Sequence, residues 1–278
     1  MRAARLRPRV SARVGAVLAI GLTHLCMAWR VPAAAPPNSP GPSTIIDPVG
    51  EGRQLAARLR DSQPAEPSEV QGVLEFLPRT GPPTIIPITC AITLGSNSWQ
   101  AAYTIRSTNS GAGAKVTPET LKILHQPSQP TVYRWAGANQ GADTPANLDQ
   151  PFAGSDFWVQ DLGLEFLHWP TQRVVRAEMR RNRACRILQS TPAQPAPSTG
   201  SGQAHDGYAR VWSWIDTETG GVIQAEAYDA QGKVLKKFAL GSFEKVQGHW
   251  QLRNMKMRNL RTGSSTDLKF ELNQPDSP

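Results

Sequence analysis

Side chains capable of covalent or acid/base chemistry are few in this chain and lie far apart. Asp161 and Glu165 are four residues apart, so on a helix they would sit one turn from each other and could share acid/base work. Carboxylates at this spacing more often form a solvated helix face. His125, His168 and His249 are isolated from one another and from cysteine, with none of the short spacings that a metal site uses. The chain has no Gly-Xaa-Ser-Xaa-Gly elbow, no His-Glu-Xaa-Xaa-His and no phosphate-binding glycine loop. The expectation is therefore a non-enzymatic protein with no catalytic residues, no metal site and no cofactor. Of the three cysteines, Cys26 lies in an apolar run near the start, which leaves Cys90 and Cys185. In an oxidising compartment those two could form a disulfide; Cys90 could equally serve as a small core residue on the apolar face of a strand.

The compartment is suggested by the first 35 residues, which carry six arginines and no acid. Arg2, Arg5, Arg7, Arg9 and Arg13 precede an uncharged run from Val14 to Trp29, and Ala33-Ala34-Ala35 supplies small residues beyond it. This is the three-part pattern of a secretory signal peptide. The run is interrupted by Thr23 and His24 and falls short of the roughly 20 apolar residues a membrane-spanning helix needs. His24 and Leu25 before Cys26 also argue against acylation there. Residues 1–35 are thus expected to be removed and the mature chain to be periplasmic. Losing the six arginines takes the formal charge from +8 to +2, which removes the basic excess that a nucleic-acid partner would require. The cluster Arg173, Arg176, Arg180, Arg181, Arg183 and Arg186 reads as a solvated strand face.

Residues 36–48 form a proline-rich leader with little apolar surface to bury. A domain over 49–272 follows, with a flexible Pro/Ser/Gly-rich loop at 191–206 and a tail at 273–278. A helix is expected from Glu51 to Asp61, where Leu55, Ala56 and Leu59 share a side. The period then changes to two. Ile86 to Leu94 and Trp99 to Ile105 alternate around the turn Gly95-Ser96-Asn97 and read as a hairpin, with Pro87 at an edge or near a strand start. Leu121–His125 and Val132–Trp135 make a second short pair. From Asp156 to His168 a helix capped by Ser155 or Asp156 is expected, ended by Pro170. Strands resume at Arg173–Arg180 and Ala184–Gln189. A meander follows over Tyr208–Ile215, Val222–Tyr228, Val234–Phe243, His249–Met257 and Thr266–Leu272, joined by turn-rich segments. Consecutive short strands of this kind favour antiparallel pairing.

The segment Phe152-Ala153-Gly154-Ser155-Asp156-Phe157 ending in Asp161-Leu162 is followed by a strand pair, a Trp-bearing strand, the turn Tyr228-Asp229-Ala230-Gln231-Gly232-Lys233 and Ser265-Thr266-Asp267-Leu268. In this order they resemble the LolA-like outer-membrane lipoprotein-sorting proteins, from about Val70 to Leu272. The resemblance implies a mainly β (α+β) fold: an open, strongly curved antiparallel sheet, or half-barrel, with a few covering helices. It also implies a periplasmic binding protein or carrier for lipid or lipidated protein, its partners being acyl chains, an inner-membrane lipoprotein-releasing transporter and an outer-membrane acceptor. The alternative is an envelope-stress sensing or envelope-assembly module that binds a protein through the same sheet. The chain departs from the classical carrier in its leader, its 191–206 insertion and the lack of an arginine to match the carrier's cavity arginine. Candidate lipid-binding residues are Trp99, Tyr103, Phe157, Trp158, Phe166, Trp212 and Trp214. Trp212 and Trp214 share a strand face and are expected to form a groove wall opposite Phe157, Trp158 and Phe166.

Overall fold

The computed structural model describes residues 45–106, 118–136, 143–193, 207–246 and 249–271. Alternating apolar residues dominate these segments, and strands result: β1 (Ser68–Leu77), β2 (Thr84–Leu94), β3 (Trp99–Arg106), β4 (Pro118–His125), β5 (Val132–Ala136), β6 (Thr144–Pro145), β7 (Thr171–Arg180) and β8 (Arg183–Thr191). The second half continues with β9 (Arg210–Asp216), β10 (Val222–Tyr228), β11 (Val234–Leu240), β12 (Phe243–Val246), β13 (His249–Leu252), β14 (Asn254–Asn259) and β15 (Ser265–Phe270). Thirteen of them form one antiparallel sheet in the order β6-β5-β4-β3-β2-β1-β15-β14-β11-β10-β9-β8-β7, and β12 pairs with β13 as a separate hairpin. The sheet is open and strongly curved, and its apolar concave face is covered by a few helical segments.

The centre of this sheet was not legible from strand periodicity. β1 was not anticipated as a strand, because Gly72 interrupts its inward series Val70, Gly72, Leu74. It joins the two halves of the chain by pairing with β2 (Val70 opposite Cys90) and with β15 (Leu74 opposite Leu268). Pro87 lies opposite Val73 of β1, whereas β3 begins its pairing with β2 at Ile88. The proline therefore occupies a stretch with one neighbouring strand, where its missing amide costs no ladder bond.

The strand expected over His249–Met257 is two strands. Around the break, the Gly241 amide donates to the Asn254 carbonyl at 2.8 Å, and the Ser242 amide donates to the Asn254 side chain at 3.0 Å. This clasp closes the β12–β13 hairpin off from the sheet and lets β11 continue directly to β14, with Leu240 opposite Met255. The strand expected to reach Phe243 ends at Leu240 for the same reason.

Helix α1 (Pro48–Arg60) lies where the sequence places it. Asp47 accepts the Gly50 amide at 2.9 Å, Pro48 opens the first turn, and Arg58 and Arg60 sit at the carbonyl end. Leu55 and Ala56 are buried beneath it. The helix crosses β7 so closely that a Cβ on Gly52 would stand 2.4 Å from Arg173 Cα.

The second expected helix, Asp156–His168, is broken into α2 (Val159–Leu162) and a 3-10 turn at Glu165–His168, with a further 3-10 turn upstream at Phe152–Gly154. Leu164 interrupts it in the left-handed region at φ 52°. Neither Ser155 nor Asp156 caps α2. The cap is Trp158, whose amide donates to Asp161 Oδ2 at 2.8 Å. Asp156 instead ties the segment to β15: its carboxylate accepts the Ser264 hydroxyl at 2.6 Å and the Thr266 hydroxyl at 3.0 Å.

Cys90 and Cys185 are free thiols, so of the two alternatives left by the sequence the disulfide is not formed. Cys90 packs in the main core on the concave side, whereas Cys185 belongs to a second cluster with Ile187 and Trp214. Leu188, the neighbour of Ile187, faces the main core, so the sheet itself stands between the two sulfurs.

Candidate functional site

Side chains of β9, β10, β11 and β14 form the floor of the concave face beneath the broken cover. Val211, Ala225, Ala227, Phe238 and Met257 point up from the strands, and Leu164 and Phe166 come down from the cover. They line an apolar cavity of about 20 Å³, enough for about one water molecule. The alternation of β10 explains the floor: Ala225 and Ala227 are small, which leaves the space, while Gln224 and Glu226 point to the reverse face.

One end of this cavity is polar. Tyr208 donates its hydroxyl to both Asp161 oxygens at 2.9 and 3.0 Å. Lys236 Nζ, on β11, donates to the Asp156 carbonyl at 2.7 Å and stands 3.5 Å from Asp161 Oδ2. The same ammonium lies 3.7 Å from the Trp158 ring centre, and Trp158 stacks on Tyr208 at 4.8 Å. Burial pushes the Lys236 ammonium down to about 8 against the pull of Asp161, and burial raises Asp161 despite Lys236, Tyr208 and the Trp158 amide. Asp161 is thus not the solvated carboxylate expected from its i, i+4 spacing to Glu165. The left-handed turn at Leu164 breaks that spacing, and Asp161 is a buried partner of a lysine that sequence patterning did not single out. The missed signal was Lys236 itself: by strand alternation it shares the inward face of Val234–Leu240 with Phe238 and Leu240, and it is only 3 % exposed.

A second space adjoins the first. Between α1 and the turn from β9 to β10 lies a cleft of about 460 Å³, whose lining includes Leu55, Arg58, Leu59, Arg186 and Ile215. Leu164 and Val222 line both the cleft and the apolar cavity.

The seven candidate residues do not converge on one groove. Phe166 lines the cavity and Trp158 closes its polar end. Phe157, part of the 152–168 cover, is packed into the main core. Trp99 and Tyr103 are buried further along the sheet on β3, Trp99 stacked on His125 at 3.9 Å and Tyr103 edge-on to Phe152. Trp212 and Trp214 face the other way, which corrects their assignment as a groove wall. They share a strand face, as expected, but that face holds Cys185, Ile187 and Ile223 and is turned from the cover. Here the arginine cluster proves to be only partly solvated. Arg176 lies over Trp212 at 5.5 Å and Arg180 over Trp214 at 5.2 Å, while Trp212 Nε1 donates to Gln189. Arg183 pairs with Asp216, Arg186 with Glu51, and Arg181 donates to the Leu240 carbonyl.

The histidines do not converge either. His168 Nε2 and the Thr131 hydroxyl are 2.9 Å apart, and burial with Arg60 nearby lowers the imidazole to about 4. Among the described residues there is no group of three or more His, Cys, Asp or Glu side chains able to hold a metal, and no helix long and apolar enough to cross a membrane. The side chain of His249, the 191–206 loop beyond residue 193, the tail and the first 44 residues lie outside the described residues.

A DUF1329 family protein from Desulfovibrio piger superposes with a TM-score of 0.61 at 19% identity, covering 83% of this chain and 94% of that one. A domain assigned to outer membrane lipoprotein sorting, from Vibrio parahaemolyticus, gives 0.55 at 15% identity, with 81% and 92% covered. A LolA superfamily protein from Nitrosomonas europaea gives 0.53 at 14% identity, with 84% and 96% covered. The chain has a LolA-like fold. In this chain α1 and the broken 152–168 segment form the cover, and β9, β10, β11 and β14 the floor beneath it. A family model described as "-like: Uncharacterized protein" matches residues 143–278, which contain all four strands of that floor and the broken cover. No curated protein matches the chain.

Proposed function

We propose that the protein is an extracytoplasmic binding protein or carrier for lipid or lipidated protein, taking acyl chains between the concave face of its sheet and the 152–168 cover. The observation that carries this reading is the apolar cavity under a cover that is not a continuous helix. Short turns joined at Ala153 and Leu164, both at positive φ, replace the regular hydrogen-bond ladder that would make such a cover rigid. A space of about 20 Å³ does not admit an acyl chain as it stands, so binding requires the cover to move. Each methylene buried on binding contributes about 0.8 kcal/mol, so a chain of ten or more methylenes offers about 8 kcal/mol or more towards that movement. The likeness to a lipoprotein-sorting domain and a LolA superfamily protein supports the same reading, as does the export pattern at the N-terminus. The chemistry is reversible burial without covalent steps; a releasing transporter at the inner membrane and an acceptor at the outer membrane would complete such a route.

Mass spectrometry of the protein purified from its native envelope tests the proposal. Retained lipid or lipopeptide is the expected result. Retention of an unmodified polypeptide alone would overturn it in favour of a module that senses or assembles envelope proteins through the same sheet.

A further inference from the structure

We infer that the cleft beside α1 receives the anionic head of an amphiphile whose chain enters the adjoining apolar cavity. The inference rests on the acyl-binding reading and adds a head-group chemistry to it. Leu164 and Val222 line both spaces, so a chain leaving the cavity past them enters the cleft. The cleft is large, about 460 Å³, and its walls are mixed: Leu55, Leu59 and Ile215 are apolar, while Arg58 and Arg186 bring charge.

The acids that line it are already engaged. Asp216 accepts from Arg183, from the Thr219 hydroxyl at 2.8 Å and from the Glu218 amide at 3.1 Å. Glu51 accepts from Arg186 Nε at 3.2 Å. The cations retain unused capacity. Arg58 has no acidic partner among the described residues, and Arg186 Nη1 is buried without a hydrogen-bond partner. A buried guanidinium nitrogen left unpaired costs free energy that a neighbouring oxyanion recovers, and two guanidinium groups suit a carboxylate or phosphate head through paired N–H donors. An uncharged head would recover none of it. Leu164, held at φ 52° where the two spaces meet, is the residue that must shift to join them.

The test compares palmitate with hexadecanol, which share a chain length and differ in head charge, by quenching of tryptophan emission in the mature chain. Palmitate should bind at least tenfold more tightly than hexadecanol, a difference of about 1.4 kcal/mol. R58Q and R186Q should each reduce that preference, and together abolish it, while leaving hexadecanol affinity unchanged. E51Q, which removes the competing carboxylate, should strengthen palmitate binding. Arg58 is exposed, so R58Q reads out the site even if R186Q impairs folding. Equal affinity for the two ligands in the wild type, or a preference that survives R58Q/R186Q, would overturn the inference. So would displacement of palmitate by acetate at millimolar concentration, which would mark a free-anion site independent of the chain. If neither palmitate nor hexadecanol binds, the acyl-binding reading fails and the head-group site falls with it.

Discussion

Replacing Lys236 by methionine is the sharpest perturbation of the concave face. The side chain of Lys236 is 4% exposed and that of Asp161 7%, so neither charge is shielded by solvent. Methionine keeps most of the volume against Trp158 but removes the cation 3.5 Å from Asp161 Oδ2 and the donor to the Asp156 carbonyl at 2.7 Å. Removing one partner of a buried pair costs about 3–5 kcal/mol. For a domain of this size each kcal/mol corresponds to about 2–4 °C in Tm, so a loss of about 6–20 °C is expected. The pH dependence identifies the cause. Asp161 is raised above its ordinary value by burial, so its penalty is absent below the ordinary carboxylate range and grows as pH rises through the folded-state value. Without Lys236 that penalty deepens, so the Tm deficit of K236M should shrink as pH falls from neutral towards 4. Wild-type Lys236 works in the opposite direction. Its ammonium is depressed to about 8, so the wild type should gain stability from this group as pH rises through 8 towards 10, and K236M should lack that gain. Thermal melts followed by circular dichroism between pH 4 and 10 measure both. A K236M protein that melts with the wild type at pH 7, or a deficit that does not change with pH, would refute the reasoning. D161N/K236M should recover part of the loss, because it removes the stranded carboxylate.

Other outcomes follow from particular contacts. D156A strips the acceptor from the Ser264 and Thr266 hydroxyls, which are 7% and 0% exposed, and should cost about 2–4 kcal/mol in urea unfolding. G52A, normally a stabilising change inside a helix, should instead destabilise by about 1–3 kcal/mol, because the new methyl meets the β7 backbone at 2.4 Å; equal or greater stability would mean that α1 does not lie against β7. W212F should leave any ligand-induced change in Trp158 emission intact, since Trp212 faces away from the cover; abolished binding in a folded W212F would place the groove on the reverse face. Thiol blocking under native conditions should leave Cys90 unmodified, and blocking after unfolding without reductant should label both Cys90 and Cys185.

What the sequence determined by itself was whatever depends on near neighbours along the chain. Asp47-Pro48 and the spacing of Leu55 and Ala56 suffice for α1, because capping and the 3.6-residue period are local. Alternation and turn residues suffice for the β2–β3 hairpin, for β4 with β5, and for the edges of β7, β8 and β10. The order of the motifs sufficed for the LolA-like fold. The tertiary structure decided everything that depends on which face meets which. Period two shows that Trp212 and Trp214 share a face but not which one, and only pairing with Ile187 on one side and Glu226 on the other turns them from the cover. β1 carries no clear strand signal because Gly72 blanks one place in its apolar series, and its partnership with β15 spans nearly the whole domain. The continuous helix expected over Asp156–His168 gave way to short turns because Asp156 is drawn to Ser264 and Thr266, and Asp161 to Tyr208 and Lys236, all from distant strands. Those long-range hydrogen bonds outweigh local helix propensity, and they build the buried lysine site that no spacing along the chain could reveal.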